Sequence, residues 1–135
     1  MMESLKVLIA EDEEDVLFVM SKKVSEAGYA VIEAKDGEEA WDKIQEESPD
    51  VILLDINMPK KNGFEVLTEL RENGPTDKWQ PVIIISARGE LEDMKQGFSM
   101  DADHYITKPC TIEEVLKAIK LMISLIPHHK LRDEL

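Results

Sequence analysis

The fold is decided by residues 51–59, which read VILLDINMP. Four apolar residues come first, and two of them are β-branched. A continuous apolar run of this length is typical of a strand that is covered on both faces, as in a parallel sheet. Asp55 follows the run directly, and Pro59 stands in the turn beyond it. The stretch therefore predicts a buried strand that delivers a carboxylate to its carboxyl end.

Four further short apolar runs predict the remaining strands. They occupy residues 5–10, 29–33, 82–85 and 105–106. Two of them contain continuous stretches rich in β-branched residues, Val7-Leu8-Ile9 and Val82-Ile83-Ile84-Ile85, which indicates central strands. The other two are the least apolar, so we place them at the edges of the sheet.

The segments between the runs have helical spacing. In the first of them, Val16, Met20 and Val24 recur at i, i+4 and i+8 and Ala27 closes the same face, so we expect that face to be buried. Gly28 follows at the position that favours a helix-ending glycine.

Turn residues mark the ends of the other helices. The second is expected between Asp36-Gly37 and Ser48-Pro49, and the third ends at Asn73-Gly74-Pro75. The fourth is predicted from Glu90 to Met100. The fifth begins at Thr111, which forms a capping box with Glu114, and is expected to end at Pro127.

Strand and helix thus alternate five times. This order predicts an α/β fold with a doubly wound parallel sheet of five strands in the order 2-1-3-4-5 and with five helices. We assign one domain to residues 1–127 and a short polar tail to residues 128–135.

Polar residues collect where these strands end. Glu11-Asp12 follows the first strand, Asp55 the third, Ser86-Ala87 the fourth and Thr107-Lys108-Pro109 the fifth. Ligands of doubly wound sheets bind beyond the carboxyl ends of the strands. Two carboxylates 4 Å apart repel by about 4 kcal/mol at an effective dielectric near 20, so positive charge must offset the cluster. Lys108 supplies part of it, and Mg²⁺, which prefers oxygen ligands, would supply more.

Composition narrows the range of partners. The net charge of −13 argues against direct binding to nucleic acid or to an anionic membrane surface. No apolar run approaches the ~20 residues that span a bilayer. Cys110 is the only cysteine, so no disulfide framework or zinc site is expected, and a reducing, cytoplasmic location fits.

At this point the sequence resembles the receiver domains of two-component response regulators, the chemotaxis-type switch fold. The matching motifs are VLIAEDE at residues 7–13, LLDINMP at 53–59 with Gly63, SA at 86–87 and YITKP at 105–109. The resemblance covers about residues 5–126. Each motif alone is common, but their order and spacing together are specific.

The resemblance implies a role for each residue of the cluster. Asp55 would accept a phosphoryl group from the phosphohistidine of a histidine kinase or phosphotransfer protein. Asp12 would bind Mg²⁺ directly and Glu11 through water, with Asp55 and the backbone carbonyl of Asn57 as further ligands.

The same resemblance implies how the phosphoryl group is read. Lys108 would contact it, Ser86 would move toward it, and Tyr105 would turn inward as a switch residue. The Lys108–Pro109 bond would be cis. Such a domain is a signalling switch rather than an enzyme, and it passes its state to a downstream protein.

The fifth helix carries more apolar surface than one core contact needs. Val115, Ile119, Met122 and Ile126 can face the sheet, whereas Leu121 and Leu125 lie on another side with Ala118. We interpret the excess as a partner or homodimer surface, shared with the fourth helix and the fifth strand.

Two other functions stay open. A phosphatase of the haloacid dehalogenase type also uses a strand-end aspartate and Mg²⁺, but it needs a second aspartate where this chain has Asn57. Alternatively, the chain is a receiver cut from a longer regulator or a hybrid kinase.

Overall fold

The computed structural model describes residues 4–75, 77–87 and 91–134. Five strands alternate with five helices along the chain. In chain order they are β1 (Lys6–Ala10), α1 (Glu14–Glu26), β2 (Ala30–Ala34), α2 (Gly37–Glu47), β3 (Val51–Leu54), α3 (Gly63–Asn73), β4 (Val82–Ser86), α4 (Leu91–Ser99), β5 (His104–Thr107) and α5 (Ile112–Glu134).

The strands form one parallel sheet in the order β2-β1-β3-β4-β5, which confirms the predicted topology. Residues 51–54 and 82–86 are buried throughout, as their continuous apolar runs predict. The edge strands β2 and β5 each include exposed or half-buried residues. Apart from exposed Lys6 at the start of β1, the central strands are therefore buried on both faces, and the edge strands are not.

Two apolar layers flank the sheet because successive side chains of a strand point to opposite faces. Leu8 and Ile52 belong to the layer that contacts α2 and α3. Their neighbours Ile9 and Leu53 belong to the layer that contacts α1 and α5. Helices cover both faces, so the polar residues that follow the strands are left at the carboxyl edge.

Local signals set the helix boundaries. The Asp36 side chain accepts a hydrogen bond from the Glu39 amide at the start of α2, and Asn62 forms a capping box with Glu65 at the start of α3. At the start of α5, the Glu114 amide donates to the Thr111 hydroxyl at 3.2 Å. The helix ends predicted near Ser48 and Asn73 are confirmed. The start of the fourth helix that was predicted at Glu90 lies outside the described residues.

The buried face of α1 differs from the predicted one. Leu17 and Val24 are buried, whereas Val16 is half-buried and Ala27 is exposed. The buried stripe follows i, i+3 and i+7 through Leu17, Met20 and Val24, because an i+4, i+8 series drifts around a helix of 3.6 residues per turn. Gly28 follows the helix with a φ of 103°, the left-handed conformation expected of a helix-ending glycine.

The prediction that α5 ends at Pro127 is wrong. The helix contains Pro127 and continues to Glu134. Proline removes a single i→i−4 hydrogen bond and kinks a helix, and the residues beyond it keep their own donors. The division into a domain at residues 1–127 and a polar tail at 128–135 stays a prediction. Within the described residues, no helix is long and apolar enough to cross a membrane.

Candidate functional site

The carboxyl edge of the sheet brings three predicted carboxylates together. Oxygen atoms of Glu11, Asp12 and Asp55 lie within 4.8 Å of one another. The Asp55 amide donates to the Ala10 carbonyl at 3.1 Å, so the sheet ladder between β3 and β1 continues to the aspartate itself. Glu11 and Asp55 are buried and Asp12 is exposed. The cluster thus has a buried floor and one ligand that faces solvent.

Lys108 joins two of these carboxylates. Its Nζ lies 2.8 Å from Glu11 Oε2 and 2.9 Å from Asp55 Oδ2. The Lys108 backbone amide donates to the Ser86 carbonyl at 2.8 Å, which fixes the start of the loop after β5. The Lys108–Pro109 peptide bond is cis, as expected. The predicted partial neutralisation of the cluster by Lys108 is present.

Burial and charge determine the protonation of the pair. Burial is the main cause that raises the pKa of Glu11 to about 7, and the nearby Asp55 carboxylate adds to it, while the hydrogen bond from Lys108 opposes it. For Lys108, burial alone would lower the pKa, but the ion pairs with Glu11 and Asp55 outweigh burial and raise it. The ammonium group is therefore charged at any physiological pH.

The two residues that are expected to read a phosphoryl group end neighbouring strands. Ser86 is the last residue of β4 and is fully buried, and Thr107, next to Lys108, is its register partner on β5. Tyr105 is 6% exposed and packs in the layer on the α3 side of the sheet. The sheet thus places Ser86 and Lys108 at the same edge as Asp55.

Residues 55–62 form the loop between β3 and α3, which we call the phosphoacceptor loop after the role expected of Asp55. The Asn57 amide donates to Asp55 Oδ1 at 3.1 Å, which orients the carboxylate. The Gly63 amide donates to the Ile56 carbonyl at 2.8 Å, which closes the loop onto α3. The carboxylate is thus oriented by its own loop on one side and by Lys108 on the other.

This donor set fits Mg²⁺. Carboxylate oxygens are the ligands that hard divalent cations prefer, and Mg²⁺ is usually bound by one or two carboxylates together with waters and phosphate. Exposed Asp12 leaves room for water ligands, and three clustered carboxylates carry more negative charge than Lys108 offsets.

Comparison with known proteins agrees with this geometry. The family described as response regulator receiver domain matches residues 7–120. The chain belongs to this family of signalling switches. Receiver domains interact with histidine kinases and with downstream effectors, and they generally bind Mg²⁺.

The curated relatives of this receiver domain are longer proteins. The alkaline phosphatase synthesis transcriptional regulatory protein PhoP of Bacillus subtilis is 36% identical over 118 residues, which cover 87% of this chain and 48% of PhoP. Response regulator RR06 of Streptococcus pneumoniae is 38% identical over 119 residues, or 88% of this chain and 53% of that protein. The chain thus spans about half the length of these relatives.

Solved structures match over nearly their whole length. The receiver domain of the Francisella response regulator 1452 has a TM-score of 0.81 at 34% identity, and the match covers 88% of this chain and 96% of that one. The chemotaxis response regulator CheY4 of Vibrio cholerae has a TM-score of 0.82 at 30% identity, with 89% and 99% covered. The predicted resemblance is confirmed.

Sequence reasoning missed two contacts between distant parts of the chain, one beside the site and one at the other edge of the sheet. Gly37 was interpreted only as a turn residue, yet it lies against the backbone of Lys61 in the phosphoacceptor loop. Arg71 was given no role, yet it donates to three different residues at the opposite edge of the sheet. Neither contact leaves a periodic signal in one sequence, because both join residues far apart in the chain.

Proposed function

We propose that this receiver domain accepts a phosphoryl group on Asp55 from the phosphohistidine of a histidine kinase or phosphotransfer protein. One observation carries the proposal: the buried Asp55 carboxylate lies 2.9 Å from the Lys108 ammonium group and within 4.8 Å of carboxylate oxygens of Glu11 and Asp12. A nucleophile, a cation for the incoming charge and a set of metal ligands thus share one strand-end crevice. A cytoplasmic location would suit this exchange.

In the proposed step, an Asp55 carboxylate oxygen attacks the phosphorus atom. The bond between phosphorus and the histidine nitrogen breaks, and the imidazole leaves with that electron pair. Hydrogen bonds orient the attacking group, because the Asn57 amide and Lys108 hold one carboxylate oxygen each. Orientation of this kind lowers the entropic part of the barrier.

Glu11, Asp12, Asp55 and the backbone carbonyl of Asn57 would hold Mg²⁺. When bound, the ion would supply positive charge that offsets the negative charge of the transferred group. Asp12 is the carboxylate best placed for direct ligation, since it is exposed and, among the described contacts, makes no ion pair with Lys108. Glu11 already accepts from Lys108, which fits a role through water.

The new charge would set the switch. A phosphoryl group adds about −1.5 to −2 of charge and new acceptor oxygens. Ser86 and Lys108 carry donors at the same edge, and their movement toward the group would shift the ends of β4 and β5. Tyr105 on β5 would follow as the switch residue. A local charge change thereby biases a two-state surface.

The output surface in this proposal consists of α4, β5 and α5. Val115, Ile119 and Met122 are buried against the sheet as predicted. The prediction that Ala118 lies on the other side with the leucines is wrong: it is buried in the same layer, because it follows Val115 by three residues and precedes Met122 by four. Leu121 and Leu125 are 49% and 39% exposed. Exposed leucines on a helix whose other face is already buried fit a partner or homodimer contact.

The first experiment tests phosphorylation itself. The chain is incubated with Mg²⁺ and phosphoramidate, and intact mass is measured. We expect one phosphoryl adduct that is absent from Asp55→Ala. Rapid turnover of phosphate esters without an adduct would instead favour a dehalogenase-type phosphatase, against which Asn57 already argues because that class needs an aspartate there.

A second experiment tests the output surface. Leu121→Glu and Leu125→Glu are compared with wild type for self-association and effector binding after phosphorylation. We expect weaker association with the adduct yield unchanged. Unchanged association in both variants would remove α5 from the proposed surface.

The length of the relatives bears on the output. PhoP is named a transcriptional regulatory protein, and this chain matches about half of it. If the chain is part of a longer regulator, its phosphorylation would control a linked domain. The receiver itself, with a net charge of −13, would act through protein contacts and not through direct contact with nucleic acid.

A further inference from the structure

The phosphoacceptor loop lies against the first residue of α2. The Gly37 amide donates to the Pro59 carbonyl at 3.3 Å. A Cβ added at Gly37 would overlap the carbonyl oxygen of Lys61 and lie 2.5 Å from its carbonyl carbon. Because both atoms belong to the backbone, no side-chain rotation relieves the overlap. Glycine is thus required here for a close approach of two backbones.

Further contacts hold the loop in that place. The Lys61 amide donates to the Pro59 carbonyl at 2.8 Å, and Lys60 between them has a φ of 70°. Lys60 Nζ lies 3.6 Å from Asp36 Oδ2, next to Gly37 on the α2 side. The tight turn at residues 59–61 is therefore shaped against the start of α2.

The backbone is packed equally closely where the loop meets the start of α3. A Cβ at Gly63 would overlap the Asp55 carbonyl oxygen and lie 2.9 Å from the Ile56 Cα atom. The loop is thus bounded by close backbone contacts at Gly37 on one side and at Gly63 on the other.

We propose that Gly37 is a positioning residue for the phosphorylation site, acting through the phosphoacceptor loop on the Asn57 carbonyl and the Asp55 carboxylate. The inference rests on the proposed function and assigns α2 a part in it. Gly37 touches none of the reacting groups and sets their geometry from outside the crevice.

The alternative is that Gly37 matters only for packing α2. Two observations favour the loop as the part that moves. Ala40 and Ile44 are fully buried and fix α2 in the core. Pro59 and Lys60, by contrast, are exposed. A side chain at position 37 would therefore displace the loop more readily than the helix.

Gly37→Ala tests the proposal, and Gly74→Ala is its matched control. A Cβ at Gly74 would overlap the Leu70 carbonyl oxygen and lie 2.9 Å from Leu70 Cδ1, but Gly74 caps the far end of α3. Both variants thus meet a backbone oxygen, and only one of them lies beside the site.

Three quantities are measured on the full chain: the Mg²⁺ dissociation constant by calorimetry, the Mg²⁺ concentration that half-saturates phosphorylation by phosphoramidate, and the urea midpoint. For Gly37→Ala we expect both Mg²⁺ values to rise about tenfold, the order seen when groups that orient metal ligands are changed. Gly74→Ala should lower the urea midpoint and leave both Mg²⁺ values at the wild-type level.

Each outcome decides the matter. Wild-type Mg²⁺ values in Gly37→Ala overturn the inference and leave the proposed function intact, whereas a wild-type chain that binds no Mg²⁺ and forms no adduct overturns the proposed function. If Gly37→Ala is partly unfolded, trimethylamine N-oxide is added to all samples, because excluded osmolytes favour the folded state. A Gly37→Ala chain that stays unfolded there, while Gly74→Ala folds, assigns the contact to the fold and also overturns the inference.

Discussion

The Lys108 ammonium group lies 2.9 Å from the Asp55 carboxylate that is the proposed phosphoacceptor. The same nitrogen lies 2.8 Å from Glu11. Lys108 therefore neutralises the carboxylates that would also bind Mg²⁺, and the two cations repel each other. The positive charge of Lys108 should therefore weaken Mg²⁺ binding and favour binding of the phosphoryl group.

Lys108→Met should strengthen Mg²⁺ binding and weaken phosphorylation. Removal of a unit charge from the cluster lowers the repulsion on the metal, and at short range this is worth on the order of 1–2 kcal/mol, or roughly tenfold in affinity. The rate of adduct formation with phosphoramidate at saturating Mg²⁺ should fall, because the cation that contacts the phosphoryl group is gone. Calorimetry and intact mass give the two values.

Lys108→Arg is the control for charge. It keeps the positive charge but has a planar, wider head group. We expect its Mg²⁺ affinity to stay near wild type while its adduct rate still falls. A weaker affinity for Mg²⁺ in Lys108→Met would contradict the competition between the two cations.

The raised pKa of Glu11 predicts a pH dependence of stability in the absence of metal. A carboxyl whose pKa rises from 4.5 to about 7 on folding binds more protons in the folded state between these two values. Stability therefore falls as pH rises through this window and is level above it. The shift corresponds to about 3 kcal/mol, as an upper estimate from the shift alone.

Glu11→Gln isolates this contribution. Urea unfolding of wild type and variant is measured in EDTA at pH 4.5 and at pH 8. Wild type should lose up to about 3 kcal/mol relative to Glu11→Gln between the two pH values, because only wild type must ionise the buried group. Lys108 stays charged between these two pH values because its pKa lies far above them, so the lysine does not contribute to the difference. Parallel curves would show that Glu11 titrates normally.

Much of the fold could be predicted because its signals are local. Continuous apolar runs such as residues 51–54 identified the central strands, and glycine, proline and capping residues identified most helix ends. Where local signals compete, the sequence was insufficient. The face of α1 was assigned one residue away from Leu17, since several apolar series fit a short helix, and Pro127 was given more weight than its single lost hydrogen bond has.

The site was predictable for a different reason. Parallel strands end at one edge, so topology alone brings Glu11, Asp12 and Asp55 together. The supporting contacts were not predictable, because Gly37 meets Lys61 through backbone atoms and the meeting depends on how α2 sits against the loop. A single sequence shows which residue types a site contains, but it does not show how closely two neighbouring elements pack.

The exposed side of α1 predicts where a phosphohistidine donor docks. Phe18 and Val19 are 68% and 55% exposed. Val19 also lines an apolar cleft that reaches Lys108 and Pro109 at the crevice. Large exposed apolar residues beside a reaction site indicate a protein contact.

Phe18→Ala and Val19→Ala should therefore slow transfer from the kinase that phosphotransfer profiling identifies, by roughly tenfold each if they are central contacts. Phosphorylation by phosphoramidate should stay unchanged, because the small donor needs no docking surface. Leu5→Ala, at the amino edge of the sheet, where the side chain is 36% exposed, is the matched control. Equal slowing with both donors would assign the effect to the site and not to docking.

Arg71 predicts a stability effect at the opposite edge of the sheet. Its guanidinium donates to the Asp101 carbonyl at 2.8 Å, to Asp103 Oδ2 at 2.8 Å and to the Gln80 carbonyl at 3.0 Å. Asp103 Oδ2 also accepts the Val82 amide at 2.8 Å. One side chain thus joins α3 to the start of β4 and to the turn before β5.

Arg71→Ala should lower the free energy of unfolding by about 2–3 kcal/mol, because the partly buried acceptors lose charged donors. Arg71→Lys keeps the charge without the fork and should recover no more than about half of the loss. Urea midpoints at a constant slope measure both values. Mg²⁺ affinity and adduct yield should stay at wild-type levels, since the contacts of Arg71 lie at the amino ends of β4 and β5, away from the carboxylates. A loss below about 1 kcal/mol would place Arg71 among ordinary surface ion pairs and contradict its role as a junction of three elements.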